Sequence, residues 1–181
     1  LLYKFYILFI SIIQYIYKNI IYFYINIFMP YNVEIWGNNI WYLFHTIAHK
    51  IKEDQFLNAK NDLIYLIKTI CGNLPCPECS KDATETLNKI NFNTINSKQE
   101  FKTLLFNFHN YVNKKLKKPI YNEIDLDEKY SKANIYILYK NFKIIFSSNS
   151  NVPQLMSASF HRKNNLPKIE NALNSLLNKF E

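Results

Sequence analysis

Apolar residues fall at helical spacing in four separate blocks between Met29 and Pro119. Short polar connections separate the blocks, and residues that favour helix ends stand at their boundaries: Gly72 closes the second block and Pro75 opens the third. Amphipathic helices of about ten to twenty residues with short connections predict a helix bundle. The four helices are predicted over about 35–51, 55–70, 75–90 and 97–116.

The pattern changes after Asp127. Residues Ile135 to Phe146 are rich in β-branched and aromatic side chains, with a candidate turn at Lys140-Asn141, and predict a β-hairpin. A polar loop and a last amphipathic helix after Pro167 follow. The predicted fold class is therefore mainly α: a four-helix bundle in residues 29–130, then an extension, residues 131–181, with a β-hairpin and a helix. No catalytic constellation is visible in the extension.

Residues Leu1 to Phe28 are almost entirely Leu, Ile, Phe and Tyr. Their length and hydropathy permit a membrane anchor. Two lysines and several amide residues interrupt the run, and no small-residue cleavage site follows, which argues against a secretory signal peptide. Met29 stands just before ordinary globular sequence, so the segment could also be upstream sequence that is not part of the working protein. Both interpretations stay open.

The net charge of +8 and the pI near 9.2 raise the question of nucleic-acid binding. Most of the positive charge comes from lysines scattered among asparagines; Lys114–Lys118 is the one dense run and Arg162 is the one arginine. Bidentate recognition of phosphate or guanine depends mainly on arginine, and the chain has one arginine. We therefore expect no nucleic-acid partner.

Three cysteines are too few for a disulfide scaffold. Two of them form the CxxC segment Cys76-Pro77-Glu78-Cys79, a spacing that suits a reversible dithiol. In the first turn of a helix both sulfurs lie on one face, and the helix dipole favours the thiolate of the first. Cys76 is therefore the predicted attacking thiol. We expect Cys71 to be a small buried hydrophobic residue.

A CxxC is also found in zinc sites and in thioredoxin-like proteins. Zinc requires two further ligands, and the chain offers Cys71 and four histidines without a second CxxC. His45 and His49 are four residues apart, but no HExxH glutamate lies between them. A thioredoxin-like CxxC would follow a strand, whereas the preceding residues are predicted to be helical. The alternative function that stays open is a zinc-stabilised interaction module without catalytic activity.

Two further motifs accompany the CxxC. Trp41 and His45 share one face of the first helix, and His109 and Asn113 are one turn apart on the fourth. Aromatic, imidazole and carboxamide groups turned into a bundle suit a large flat heterocycle with polar edges. The motifs are Trp36-Gly37-x3-Trp41-x3-His45 and His109-Asn110-x-Val112-Asn113-x2-Leu116-x-Lys118-Pro119.

Together with Pro75-Cys76-Pro77-Glu78-Cys79, these motifs resemble the Erv/ALR family of FAD-linked sulfhydryl oxidases, specifically the short viral members from large DNA viruses. They occur in the family's order and approximate spacing, over about Val33 to Tyr130. The resemblance implies a four-helix bundle with a short fifth helix that binds FAD. It also implies a thiol oxidase that makes disulfide bonds, converting two thiols and oxygen into a disulfide and hydrogen peroxide.

The resemblance assigns roles to individual residues. Cys76 would exchange disulfides with the incoming thiol, and Cys79 would be the sulfur nearest the flavin. Lys115 and Lys118 match basic positions near the phosphates, where a pyrophosphate needs cations. The other residues that the resemblance places in the cofactor site are Gly37, Trp41, His45, His109, Asn110, Val112 and Asn113.

The chain departs from the cellular members of the family at three points. It has Asn38 where many have arginine, Phe106 where they have a structural disulfide, and no second CxxC to act as an electron shuttle. The expected partners are therefore protein thiols that reach Cys76 directly, or a small thioredoxin-like carrier, together with molecular oxygen. Family members commonly pair through their helices, so a homodimer is expected. The expected location is the host cytoplasm, at the virus factory, or the virion, with membrane attachment only if residues 1–28 are an anchor.

Overall fold

The computed structural model describes residues 13–17, 33–150 and 153–181, which are mainly helical. The predicted anchor in residues 1–28 lies outside the described residues except for a helical stretch at 13–17. None of the helices in the described part of the chain is long and apolar enough to cross a membrane. The principal helices are α1 (Val33–Lys50), α2 (Phe56–Cys71), α3 (Pro77–Asn88), α4 (Lys98–Lys115), α5 (Glu123–Ser131), α6 (Ile135–Ser147) and α7 (Pro153–Asn174).

Helices α1 to α4 confirm the four helices predicted from the apolar pattern. Local signals set their ends. Ser97 caps α4 in a capping box, because its side chain accepts from the Glu100 amide while the Glu100 carboxylate accepts from the Ser97 amide. Helix α3 begins two residues later than predicted, because Cys76 is its N-cap and Pro77 its first helical residue.

The predicted β-hairpin is wrong, since Ile135–Ser147 is helix α6. Asn134 caps this helix, its side chain accepting from the amides of Tyr136 (2.9 Å) and Ile137 (3.2 Å). A short β-branched and aromatic run does not by itself distinguish a strand from a buried helix. Packing against α1 decides between them here, because the helix turns one apolar stripe inward. The buried members of that stripe are Ile135, Phe142, Ile145 and Phe146.

The last helix, α7, begins well before the predicted start and carries Pro167 in its interior. An interior proline removes one helical hydrogen bond, so tertiary contacts must hold the helix. Arg162, 2% exposed, donates from Nε to the Phe146 carbonyl (3.1 Å) and from Nη2 to the Ser148 carbonyl (2.8 Å). These bonds satisfy carbonyls at the end of α6 and join α6 to α7. Burial lowers the pKa of Arg162 to about 10, so the guanidinium stays charged at neutral pH.

The C-terminal extension shares one hydrophobic core with the bundle. Helix α6 packs on α1, and α7 packs along α2 and α6. The end of the chain is also tied to the α1–α2 connection, because the Lys52 amide donates to the Lys179 carbonyl (2.9 Å) and the Glu181 amide to the Lys50 carbonyl (2.7 Å). Apart from the isolated bridge between Ile51 and Phe180, the described residues contain no β-structure.

Candidate functional site

The CxxC pair is bonded as a disulfide at the start of α3. The Cα atoms of Cys76 and Cys79 are 5.2 Å apart, and the Cys79 amide donates to Cys76 Sγ over 3.1 Å. Cys76 is therefore an N-cap residue whose side-chain acceptor is sulfur. In the reduced pair the same amide and the helix dipole would stabilise a Cys76 thiolate.

This disulfide bears on the zinc alternative, because a bonded sulfur is not the thiolate that binds zinc. The described residues hold no group of three His, Cys, Asp or Glu side chains placed to bind a metal ion. Cys71, the other candidate sulfur ligand, is a buried free thiol, as expected. Burial raises its pKa well above the usual range of a thiol, so it stays neutral.

A cavity of about 510 Å³ opens between α1, α3 and α4 beside this disulfide. Cys79 lines the cavity, whereas Cys76 does not. The structure thus gathers residues from three separate motifs around one space. The other predicted site residues that line it are Gly37, Trp41, His109, Val112, Asn113, Lys115 and Lys118.

Two stacked rings form an aromatic wall of the cavity. The rings of Trp41 and His109 are 4.1 Å apart and within 9° of parallel. Phe108 meets Trp41 edge-on, at 5.3 Å and 71°. This arrangement fixes the plane of the indole at the cavity surface, where it can pack against a flat ligand.

His45 stands one layer behind this wall. Its Nε2 is 3.0 Å from His109 Nδ1, so one imidazole donates and the other accepts. Its other side stacks on Tyr130, at 4.7 Å and 14°. Burial lowers the pKa of His45 to about 3 and that of His109 to about 4, and each ring is also near other positive groups. Both rings are neutral at physiological pH.

The amides of the second motif shape the chain that follows α4. Asn110 pairs reciprocally with Tyr121, donating to its carbonyl (3.0 Å) and accepting from its amide (2.9 Å). Asn113 donates to the Pro119 carbonyl (3.1 Å). These bonds fold Pro119 and Tyr121 back to line the cavity. Asn110 is thus placed to support the wall, and its predicted direct contact with a cofactor stays a prediction.

Charged groups of both signs lie at the cavity. Lys115 pairs with Asp82 of α3, and Lys118 Nζ is 3.9 Å from Glu34 Oε1. The hydrogen bond that Lys115 donates to the Asp82 carboxylate raises the pKa of Lys115. The sequence reasoning identified these lysines but not Asp82, although Asp82 is three residues after Cys79 and so shares its helix face. It also missed Glu78, Leu74, Phe108 and Tyr121 as lining residues.

Trp36 supplies a polar atom that the protein does not satisfy. It is 5% exposed and lines the cavity, and its Nε1 is buried without a hydrogen-bond partner among the described residues. Buried donors are nearly always paired, so this one indicates a ligand or water acceptor. The sequence motif contained Trp36, but only the tertiary structure shows its unpaired donor.

These features fit a planar heterocycle that carries an anionic group. The cavity volume lies within the roughly 300–1,000 Å³ of small-molecule sites, its wall is aromatic, and its ammonium groups can meet phosphate. A disulfide on the wall places two-electron chemistry next to such a ligand. The fold and site therefore define a helical protein with a CxxC disulfide beside a cofactor-sized cavity.

The sequence model of the Erv1 / Alr family matches residues 38–131, about half of the chain. The chain therefore belongs to the Erv1 / Alr family. That match contains the CxxC, the aromatic wall and α5, the short fifth helix that the resemblance implied. It does not reach α6 or α7.

Several curated proteins are similar to this chain. One is a protein of Invertebrate iridescent virus 3, provisionally named as an FAD-linked sulfhydryl oxidase; it is 30% identical over 92 residues, 50% of this chain and 62% of that protein. The FAD-linked sulfhydryl oxidase of Oryza sativa is 35% identical over 51% of this chain and 47% of its own length. That of African swine fever virus is 34% identical over 47% of this chain and 71% of its own length. The chain thus spans about half to two thirds of the first two, and no solved structure matches it significantly.

Proposed function

We propose that this protein is an FAD-dependent thiol oxidase that forms disulfide bonds in proteins through Cys76 and Cys79. The observation that carries the proposal is the asymmetry of the pair. Both cysteines are partly exposed, but Cys79 lines the cavity and Cys76 lies outside it. One sulfur is therefore available to an incoming thiol while its bonded partner faces the cofactor space. The names of the family relatives, FAD-linked sulfhydryl oxidases, support the same function.

The lining residues divide into groups that match the parts of FAD. Trp41 and His109 offer a stacked aromatic surface, and Trp36 Nε1 offers an unpaired donor. Lys115 and Lys118 offer positive charge for the pyrophosphate. Bound FAD would supply a two-electron acceptor that is reoxidised by molecular oxygen. Gly37, Val112 and Asn113 would complete the contact surface, with His45 and Asn110 supporting it.

The disulfide chemistry follows from the N-cap geometry. A substrate thiolate attacks Cys76 Sγ and breaks the bond to Cys79, which leaves as a thiolate. A second substrate thiolate then attacks the substrate sulfur of the mixed disulfide, and Cys76 leaves as the thiolate. The Cys79 amide and the start of α3 stabilise that charge. The pair has then gained two electrons and the substrate has lost two.

The substrates in this proposal are protein thiols, with oxygen as the final oxidant and hydrogen peroxide as the product. A small thioredoxin-like carrier could deliver the electrons, since the chain has no second CxxC. The proposed setting is the cytoplasm of a virus-infected cell or the virion. A reducing compartment forms protein disulfides only when a dedicated oxidant is present.

The test is the replacement of each cysteine in the purified full chain. Cys76→Ser and Cys79→Ser should each abolish thiol-dependent oxygen consumption and retain bound flavin, measured with an oxygen electrode and by absorbance near 450 nm, roughly where oxidised flavins absorb. Cys79→Ser should still form a mixed disulfide with a small-molecule disulfide through Cys76. Thr84→Ser, at an exposed position of α3, is the matched control and should behave as the wild type.

Normal turnover in either cysteine variant would refute the assignment of the redox pair. A colourless wild-type protein that carries stoichiometric zinc would refute the oxidase and support the interaction module instead.

A further inference from the structure

The segment between α2 and Cys76 is held by a residue of the C-terminal extension. Asn73 stands three residues before Cys76 in this segment. The side-chain Nδ2 of Asn73 donates to the Thr69 carbonyl (2.8 Å), and its side-chain Oδ1 accepts from Asn165 Nδ2 of α7 (2.9 Å). Both ends of the Asn73 side chain are therefore engaged, one by the helix that precedes the redox pair and one by the extension.

The Asn165 side chain is itself fixed in orientation. Its Nδ2 also donates to the His161 carbonyl one turn earlier (3.1 Å). Helix α7 packs on α2, and its residues Ile169 and Leu173 belong to the shared core. Asn165 lies outside residues 38–131, the part that matches the family. The contact thus comes from a segment that the family match does not include.

Two further hydrogen bonds hold the same segment. Ser80 Oγ of α3 donates to the Cys71 carbonyl over 2.8 Å. The backbone amide of Asn73 donates to the Ile70 carbonyl over 3.0 Å. The chain entering α3 is consequently held by α2, α3 and α7 together. Asn165 supplies the α7 side of this arrangement.

We propose that Asn165 is a positioning residue for the redox pair: by holding Asn73 it fixes the segment that places Cys76 at the N-cap of α3. The C-terminal extension is then a working part of the redox centre. This inference rests on the redox role proposed for Cys76 and Cys79.

The physical link is the entropy of closing the disulfide. In the reduced protein the two sulfurs rebond only when Cys76 adopts its N-cap conformation beside Cys79. If the segment before Cys76 is already fixed in the dithiol state, the chain loses less conformational entropy when the disulfide closes. The fixed segment therefore favours the disulfide over the dithiol. Loss of one hydrogen bond of ordinary strength should shift this equilibrium about two- to tenfold toward the dithiol.

The test compares Asn165→Ala with Asn164→Ala in the full chain. Asn164 is the exposed neighbour of the same residue type, so it is the matched control. Each protein is equilibrated with reduced and oxidised glutathione without oxygen, and the oxidised fraction of Cys76–Cys79 is measured by alkylation and peptide mass. In this reaction one protein disulfide and two glutathione thiols give two protein thiols and one glutathione disulfide. N165A should shift the equilibrium constant about two- to tenfold toward the dithiol, and N164A should not.

Two further variants separate positioning from general stability. Asn165→Asp is nearly isosteric but sets a carboxylate oxygen against the Asn73 oxygen, so it should give the same shift without a cavity. The double variant N73A/N165A should shift no further than N73A, because both lose the same contact. An unchanged equilibrium in N165A and N165D, even with a lowered melting temperature, would overturn the proposal, as would additive shifts in the double variant.

The glutathione equilibrium requires neither flavin nor oxygen. A wild-type protein that lacks oxidase activity would therefore overturn the proposed function. The glutathione equilibrium of the Asn165 variants tests the positioning role separately.

Discussion

At the scale of single residues, the site depends on two histidines that stay neutral. His45 and His109 are each 4% exposed and share one hydrogen bond. A proton added to either ring would place a charge in a desolvated space, and protonation of both rings would leave their hydrogen bond without an acceptor. The neutral pair keeps His109 parallel to Trp41, and so maintains the aromatic wall of the cavity.

The neutral histidine pair predicts that the free energy of unfolding is lower in mild acid than at neutral pH. Burial holds the pKa of His45 at about 3 and that of His109 at about 4, below the unfolded value of about 6.5. Between pH 6.5 and 4 the unfolded chain binds protons that the native chain does not, so the free energy of unfolding decreases as the pH falls. The expected loss at pH 5 is on the order of 2 kcal/mol for each histidine. His45→Gln should reduce the difference between urea unfolding free energies at pH 7.5 and pH 5.

The exposed His161 provides the control. His161→Gln should leave the difference between the two pH values as in the wild type. An undiminished difference in His45→Gln would contradict the neutral buried pair.

At the scale of an element, the end of α4 turns the lysine run toward the cavity. The Lys118 amide donates to the Asn113 carbonyl (2.9 Å) and the Lys117 amide to the Lys114 carbonyl (3.2 Å), which is a Schellman motif. The residue that reverses the chain is Lys117, with φ of 54°, a left-handed conformation that favours glycine. This reversal brings Lys118 and Pro119 to the cavity wall.

The motif predicts opposite effects for one substitution at two positions. Lys117→Gly should stabilise the protein by about 0.5–1 kcal/mol, because it relieves the left-handed strain at a modest entropic cost. Lys114→Gly, at a position that is also exposed but lies within α4, should destabilise it by about 1 kcal/mol. Urea denaturation at neutral pH measures both. A loss of stability in Lys117→Gly would show that this helix end is not built as described.

At the scale of the whole molecule, the extension and the bundle form one structural unit. Phe142 and Phe146 of α6 are fully buried in the core that also contains α1, and their rings are 4.1 Å apart. The hydrogen bond between Asn165 and Asn73 extends this unit to the segment that precedes the Cys76–Cys79 disulfide. The extension therefore stabilises the same body of protein that holds the cavity.

Unfolding of the full chain should accordingly be a single transition. Phe146→Ala should lower the unfolding free energy by about 3–5 kcal/mol, as expected for a buried aromatic side chain. Tyr136→Ala, at a position of the same helix that is 65% exposed, should change it by less than about 0.5 kcal/mol. Helix content and tryptophan fluorescence, which reports α1, should follow the same curve in urea. Two separate transitions would contradict the single core.

Features set by near neighbours in the chain were predictable from the sequence. The approximate start of α3 near Cys76, the cap at Ser97 and the shared face of Trp41 and His45 follow from local residue types and from spacings of three or four residues. The site motifs are therefore recognisable in the sequence without the contacts between them. The family resemblance implies that they form one cofactor site.

Features set by distant contacts were decided by the tertiary structure. Packing on α1 makes Ile135–Ser147 a helix although its composition favours a strand, because burial of one apolar stripe outweighs a weak local preference. The bond between Asn73 and Asn165 joins residues 92 positions apart, and the pairing of Lys115 with Asp82 joins residues 33 apart. The spacing of residues along the chain indicated the candidate site side chains and the helix face that each occupies. Which faces meet depends on the folded chain, because six of the seven principal helices share one core and α5 packs separately on α1.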